Sequence, residues 1–472
     1  MQDRPRQTAA VIIEPVSDRP SVKSVVQAFA SERHPAILET GQRDRFSRFS
    51  VFACDPAELV EWRRGSPLDE LPQKIGGPAA FLPADSPIPF AGGWIGFLSY
   101  EAGLDGDAAS GRAQDSRLPL ARFGLYDAAA VYDHGAGQWY ATAVEWPLGV
   151  HRRRAGARDR IDRIRRLLAD AASTDDLDLP TPSAATPVVA DLSRAAYGER
   201  FKRIQQYIAA GDVYQVNLTM RFRAETSASP LELYLRLREF SPAPYAALLR
   251  WGDSAVISSS PELFLSLRSG RVVTRPIKGT RPRSPDAMMD EIYRRDLAGS
   301  DKERAELNMI VDLLRNDIGR VCGYGAVRVA HDGEIEAHSN VLHRVATIEG
   351  RLRAGYTWAD LLRATFPGGS ITGAPKIRAM QIISELEPVP RGVYCGAIGW
   401  IGLNGDMSMS IAIRTMIQHG RSVHLHAGSG IVADSDLEQE YEETMTKLAG
   451  MKQALYGSQA GVQPTTIAKA AV

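Results

Sequence analysis

The chain has 472 residues, 44% hydrophobic and 24% charged, with 56 basic and 56 acidic side chains and a formal net charge of zero. That length exceeds what one compact core usually supports, so one large interwoven domain or two domains is expected. The even charge balance excludes the basic excess of a nucleic-acid-binding surface.

Asp3, Arg4, Arg6, Glu14, Asp18, Arg19 and Lys23 break up the N-terminal apolar residues, so no signal-peptide core is present, and no apolar run reaches membrane-spanning length. Cys54, Cys322 and Cys395 are far apart, without metal-ligand or redox spacing, and read as buried, reduced thiols. A cytoplasmic protein with no nucleic-acid or membrane partner is the expectation.

In chain order, the first half reads as short strands with turn signals, for example 10–13 and 128–132. A basic amphipathic helix follows at 158–168, with Ile161, Ile164, Leu167 and Leu168 on one stripe. The stretch 173–187 is rich in Ser, Thr, Asp and Pro without periodicity. The organisation expected is therefore an N-terminal region 1–172, a linker 173–192, a main body 193–456, and a patternless, disordered tail 457–472. In the main body 201–210 reads as helix, and 245–249, 255–258, 263–267, 398–401 and 423–426 read as strands. Hairpin-like spacing points to an α+β fold with a largely antiparallel sheet.

Two helices carry candidate carboxylates. Ser300-Asp301-Lys302-Glu303 matches a capping box ahead of a stripe of Leu307, Ile310, Val311, Leu314 and Ile318. A cap accounts for Glu303; Glu306, at the edge of the stripe, has no such local role. Ser435-Asp436-Leu437-Glu438 repeats the pattern before Leu437, Tyr441, Leu448 and Leu455. Glu440, Glu443 and Lys447 then share one adjacent face. Two readings stay open there: a solvated face with a Glu443–Lys447 ion pair, or carboxylates of two helices converging on a hard cation such as magnesium.

The segment from Gly368 to Lys376 begins like a phosphate-binding loop, but Ala374-Pro375 stands where Lys-Ser/Thr is required. Pro375 is placed to start a helix running to Leu386. Ala427-Gly428-Ser429-Gly430 reads as a second glycine-rich turn. Each loop is a tight turn or a set of amides for an anion. Lys278, between Ile277 and Gly279, is either solvated or a nucleophile in a polar pocket.

Taken in order, the segments GDVYQVNL (211–218), SSSPELF (258–264), RPIKGTRPR (275–283), RAELNMIVDLLRNDIGRV (304–321), FPGGSITGAPK (366–376), YCGAIGW (394–400), SIAIRT (410–415), HAGSGIV (426–432) and EYEETMTK (440–447) resemble the large, chorismate-binding components of anthranilate and aminodeoxychorismate synthases. The likeness runs from SRFSVFACDP (47–56) and GGWIGFLSYE (92–101) to Lys447. Lys278 points to the aminodeoxychorismate branch, since anthranilate synthases carry Ala there. The chain departs from the common pattern at His343-Arg344-Val345-Ala346, Trp400 and Met407-Ser408-Met409-Ser410.

The resemblance implies an α+β sandwich of large antiparallel sheets flanked by helices, with the N-terminal region interwoven with the catalytic core. It also implies Mg2+ held by Glu306 and Glu443, with Glu303 and Glu440 close by or reaching it through water. Lys278 is implied as nucleophile and Glu262 as general acid, with Thr372, His343, Tyr394, Arg414, Gly428, Ser429, Gly430 and Lys447 around the substrate. Chorismate and ammonia are the implied substrates, with a glutamine amidotransferase subunit as nitrogen source because this chain lacks that domain's motifs. Anthranilate synthase and a non-catalytic chorismate-binding regulatory subunit are the alternatives. Leu38-Glu39-Thr40 and Ser50 lie where anthranilate synthases bind an amino-acid effector, and the sequence leaves that role open here.

Overall fold

The computed structural model describes residues 9–44, 46–63, 65–75, 82–83, 85–104, 118–147, 155–174, 178–179, 181–457 and 466–467. Strands from both halves of the chain build two large sheets. In the 13-stranded sheet, Ala36–Glu39 lies between Phe49–Ala53 and Tyr245–Trp251, and the order continues through Ser254–Ser260, Thr415–His419 and Ser422–Ile431 to Gln215–Glu225. The 10-stranded sheet runs from Ile277–Pro282 through Val341–Arg351, Arg271–Arg275, Leu263–Arg268, Met407–Ile411 and Ala397–Gly402 to Gly93–Leu98 and beyond. The described pairings are antiparallel except for the parallel contact of Val189–Ala190 with Thr466–Ile467.

Two of these pairings explain why the N-terminal region is not separable. Leu38 pairs with Ala247 in one sheet and Phe97 with Ile398 in the other. Val51, Ala129, Ala247 and Val256 of the first sheet pack in one buried cluster with Ile95, Phe97, Ile398 and Trp400 of the second. The sheets therefore face each other as a sandwich, and helices cover the outside. This is the expected α+β architecture.

The helices bury the stripes read from their periodicity. In Asp301–Gly319, Leu307, Ile310, Val311, Leu314 and Ile318 are all buried. Truncating one, Leu307→Ala, would cost about 2–5 kcal/mol. Leu448 and Leu455 of Leu437–Tyr456 are fully buried, while Leu437 and Tyr441 pack at the cluster's edge. The three cysteines are buried and unpaired. Among the described residues, no helix is long and apolar enough to cross a membrane.

Four local expectations are corrected. The segment 427–430 is the end of the strand Ser422–Ile431, not a turn. Its glycine serves close packing: a Cβ on Gly428 would stand 2.4 Å from the Leu218 carbonyl oxygen of the neighbouring strand. The second helix is capped by Asp436, whose side chain accepts from the Glu438 and Gln439 amides, while Ser435 donates to Glu440. Ser300 does cap the first helix through the Glu303 amide, but the Glu303 carboxylate turns to Arg281 instead of back to the cap. Pro375 is the N-cap of Lys376–Leu386 and not its first turn.

The end of the expected linker is structured: Val188 is fully buried and Val189–Ala190 pairs with Gln215–Glu225. Most of the expected tail, and residues 175–177 and 180, lie outside the described residues.

Candidate active site

Lys278 lies on the edge strand Ile277–Pro282 of the second sheet, opposite Arg344. Its Nζ donates to Gln215 Oε1 at 3.2 Å and stands 3.7 Å from Glu306 Oε2, with 13% of the side chain exposed. Gln215, from the first sheet, has no exposed surface, and its Nε2 has no partner. Two glycines allow this approach. A Cβ on Gly430 would meet the Gln215 Cδ at 3.1 Å and Lys278 Nζ at 3.3 Å. Gly279, at φ +77, would place a Cβ 2.9 Å from Glu303 Oε2.

Glu262 precedes the strand Leu263–Arg268 and is 5% exposed. Burial pushes its carboxyl up to about 7, against a Ser370 hydroxyl bond and the charges of Lys278 and Lys447. Such a group holds a proton for a substantial fraction of the time at neutral pH, as a general acid must.

Lys278 faces carboxylates of both helices, Glu306 at 3.7 Å and Glu443 through its charge. Burial and the negative charges of Glu303 and Glu440 raise Glu306, against the pull of Lys278. Burial alone would raise Glu443, but Lys447, paired at 2.6 Å, together with Lys278 and Lys302 leaves it below the usual range. Glu440 takes the Ser435 hydroxyl at 2.7 Å on one oxygen, and its other oxygen is buried without a partner. Glu303 faces Arg281 at 3.4 Å.

Among the described residues, no three His, Cys, Asp or Glu side chains stand together as a ready-made metal cage. The set still suits a hard divalent cation that keeps water and substrate oxygens in most of its positions. Like charges gathered around Glu306, and an orphaned oxygen on Glu440, are what such an ion would relieve.

Arg281 and Arg283 are near Lys278 in sequence but are already paired. Arg281 bonds Asp296 at 2.6 Å and Arg283 bonds Asp290 at 2.7 Å.

Other candidates are of the kinds that could bind an anion. Arg414 adopts φ +51 and, among the described residues, its guanidinium makes no hydrogen bond or ion pair. Burial lowers it, while Tyr394 and Glu443 pull it up. Tyr394 is buried, with its ring stacked 5.0 Å from His426 at 12°. His343 receives or gives a hydrogen bond at 3.0 Å with Thr280. Burial, with His338 and Arg414 nearby, pushes it down to about 3, so it is neutral at physiological pH.

The Asn217 amide donates to Thr372, away from Ser422–Ile431. Antiparallel alternation then turns the backbone groups of Gly428 and Gly430 away from Gln215–Glu225, with Ser429 facing it. In keeping with this, the Gly428 carbonyl accepts from Lys447 Nζ at 3.0 Å. Two glycine amides are thus presented on the open side. The Thr372 hydroxyl is occupied by the Gly368 and Gly369 carbonyls at 3.0 and 3.2 Å, which fixes its loop. Lys376 is taken up by Asp317 and the Thr365 carbonyl, so it serves packing and not a phosphate.

A family model for chorismate binding enzymes matches residues 36–453. The chain belongs to this family. Among family members, aminodeoxychorismate synthase component 1 of Klebsiella aerogenes is 38% identical over 450 residues, 93% of this chain and 95% of the relative. Anthranilate synthase component 1 of Streptomyces coelicolor is 39% identical over 423 residues, 88% of this chain and 82% of the relative. The crystal structure of anthranilate synthase component I from Streptococcus pneumoniae superposes with a TM-score of 0.72 at 32% identity, covering 87% of this chain and 93% of that one. Overall identity does not separate the two activities within the family, so the choice falls to individual side chains.

Sequence reasoning did not single out Gln215, Ser370 or His426. Gln215 had one local signal, a polar residue inside the apolar run of an otherwise buried strand; Ser370 and His426 had only their place within the segments 366–376 and 426–432. Leu38, Glu39 and Thr40 line a cavity of about 610 Å³ between the sheets. There Glu39 is already satisfied by Tyr234 and Arg238, both at 2.7 Å.

Proposed function

We propose that the chain is the chorismate-binding component of an aminodeoxychorismate synthase, a transferase of the cytoplasm. It converts chorismate and ammonia to 4-amino-4-deoxychorismate, towards p-aminobenzoate and folate. Ammonia comes from a glutamine amidotransferase subunit, and Mg2+ is the metal. The observation that carries this reading is Lys278, an enclosed amine touching Gln215 and Glu306 near a buried, protonatable Glu262.

Chorismate carries two carboxylates and, at ring carbon 4, a hydroxyl that leaves poorly at neutral pH. Arg414, aided by Tyr394 and the glycine amides, holds one carboxylate as a charge-assisted fork. His343, neutral and held by Thr280, donates or accepts one hydrogen bond without adding charge. Glu306 and Glu443 would hold the metal, with Glu303 and Glu440 close by or reaching it through water. That ion would anchor the ring carboxylate and draw charge from the conjugated diene.

The neutral Lys278 amine attacks ring carbon 2. The two double bonds shift, the bond from carbon 4 to oxygen breaks, and Glu262 gives its proton to the leaving hydroxyl, which departs as water. Ammonia then bonds to carbon 4, the double bonds shift back, and the bond to Lys278 breaks.

Anthranilate synthase is the second reading, favoured by the Streptomyces and Streptococcus relatives; that reaction would also eliminate pyruvate. Product analysis with chorismate, Mg2+ and ammonium tests the choice. Aminodeoxychorismate without pyruvate is expected. Anthranilate with stoichiometric pyruvate would replace the proposal, and chorismate binding without turnover would favour a regulatory subunit.

A further inference from the structure

Glu262 precedes the strand Leu263–Arg268, which pairs with Arg271–Arg275, and Lys278 lies on Ile277–Pro282, which continues that partner strand beyond Pro276 along Val341–Arg351. The pairing of Leu263–Arg268 with Arg271–Arg275 shifts register between Leu263 and Ser266. The pairing of Ile277–Pro282 with Val341–Arg351 shifts between Lys278 and Thr280. Pro276, which joins Arg271–Arg275 to Ile277–Pro282, has no amide to donate, although its carbonyl accepts the Ala346 amide at 3.2 Å. The ladder is thus regular from Arg271 to Lys278 and is interrupted just beyond each reacting group, after Leu263 and after Lys278.

Arg275 stands at the junction. It pairs across the ladder with Leu263, the residue after Glu262, and precedes Lys278 by one Pro-Ile step. It is 4% exposed, and its guanidinium is gripped from several directions. One nitrogen donates to Asp44 at 3.0 Å, another to Glu336, and Nε donates to Thr347 at 3.3 Å. The Phe46 ring lies beneath the guanidinium at 4.7 Å. Asp44 is itself held, because its other oxygen accepts the Phe46 and Ser47 amides at 2.6 and 2.5 Å.

We propose that Arg275, clamped by Asp44 and Phe46 of the N-terminal region, is a positioning residue that sets the distance between Glu262 and Lys278. A planar five-donor fork between two carboxylates fixes orientation in a way a flexible ammonium cannot. The clamp also gives the N-terminal region a part in the chemistry, which the interwoven sheets alone do not require. The proposal rests on the reading of Lys278 and Glu262 as nucleophile and acid, so its test has one arm that needs no substrate.

Full-length Asp44→Asn and Arg275→Lys are compared with the unaltered protein, and folding is checked by a cooperative denaturation transition. In hydrogen exchange followed by mass spectrometry, the amides of 277–282 should exchange at least about threefold faster in both variants. In turnover of chorismate with ammonium, kcat should fall about tenfold or more while KM stays within about threefold, since misplaced reacting groups lose rate more than binding. Asp44→Glu, which keeps the carboxylate, should recover part of kcat. Unchanged exchange at 277–282 in the folded variants overturns the proposal, whether or not chorismate is the substrate. So does a rise in KM with kcat intact. Failure of the unaltered protein to turn over chorismate overturns the functional reading alone, and the exchange arm still decides the clamp.

Discussion

Replacing Glu262 with Gln removes one titration and leaves the shape of the side chain. In the folded protein, burial raises this carboxyl to about 7 from its ordinary 4.5. The difference corresponds to about 3 kcal/mol at roughly 1.4 kcal/mol per pH unit. A carboxyl raised by folding stabilises the fold while it stays protonated. The contribution is complete below about 4.5, declines as the unfolded chain ionises, and is lost once pH rises through about 7. Urea denaturation at pH 5 and pH 8 should therefore show a stability difference about 2–3 kcal/mol less unfavourable to high pH in Glu262→Gln than in the unaltered protein, since part of the contribution is already lost at pH 5. Comparing variants at the same two pH values cancels the other carboxylates. Activity should carry the same signature: turnover by the unaltered protein declines above pH 7 as the acid is lost. Glu262→Gln should be slower by about 10²–10⁴ and without that limb. Identical pH dependence of stability in the two proteins would refute the buried-acid argument, and near-normal turnover by the variant would refute the catalytic role.

Three further outcomes follow from the same geometry. Glu306→Gln and Glu443→Gln should each weaken Mn2+ binding measured by titration calorimetry at least about tenfold and remove most activity while the fold persists; normal turnover by both without divalent metal would discard the metal assignment. The isolated chain should use ammonium salts but need an amidotransferase subunit to use glutamine, and glutamate release by the chain alone at the rate of product formation would contradict this. With chorismate and Mg2+ but no ammonia, part of the protein should gain the mass of chorismate minus water on Lys278, and Lys278→Ala should abolish the adduct; an adduct elsewhere, or none despite turnover with ammonia, would leave Lys278 an electrostatic role only.

What the sequence made legible was whatever depends on near neighbours in the chain. The buried stripe of Asp301–Gly319, the strands around 245–267 and the Glu443–Lys447 pair all follow from local periodicity. Where neighbours in space decide, local reading misled. Gly428 resembled a turn residue, yet its glycine answers to the Leu218 carbonyl across a strand. Ser435 resembled a cap because the pattern fits, but the helix starts one residue later, on Asp436, and Ser435 is drawn to Glu440. Arg281 and Arg283 are near Lys278 in sequence, but Asp296, Glu303 and Asp290 neutralise them. Gln215 and Arg275 meet their partners across 63 and 231 residues of chain, and no periodicity reports such contacts.

The charges left unmatched in the site correspond to the ligands proposed for it. Glu306 and Glu443 each hold a lysine, Lys278 and Lys447, so their charge is partly spent inside the protein. Arg414 and one oxygen of Glu440 have no partner among the described residues. Arg414 also bears a left-handed backbone, which costs about 1–3 kcal/mol. A half-buried cation without a hydrogen-bonding partner and a buried carboxylate oxygen without one are both unfavourable. A substrate carboxylate answers the first, and a divalent ion answers the second. The same ion would compete with Lys278 for Glu306. At 3.7 Å that lysine pair is worth on the order of 4 kcal/mol of attraction before desolvation, and a divalent ion would carry twice the lysine's charge. Glu306, which pairs with the proposed nucleophile, is thus also a carboxylate that a metal would draw on.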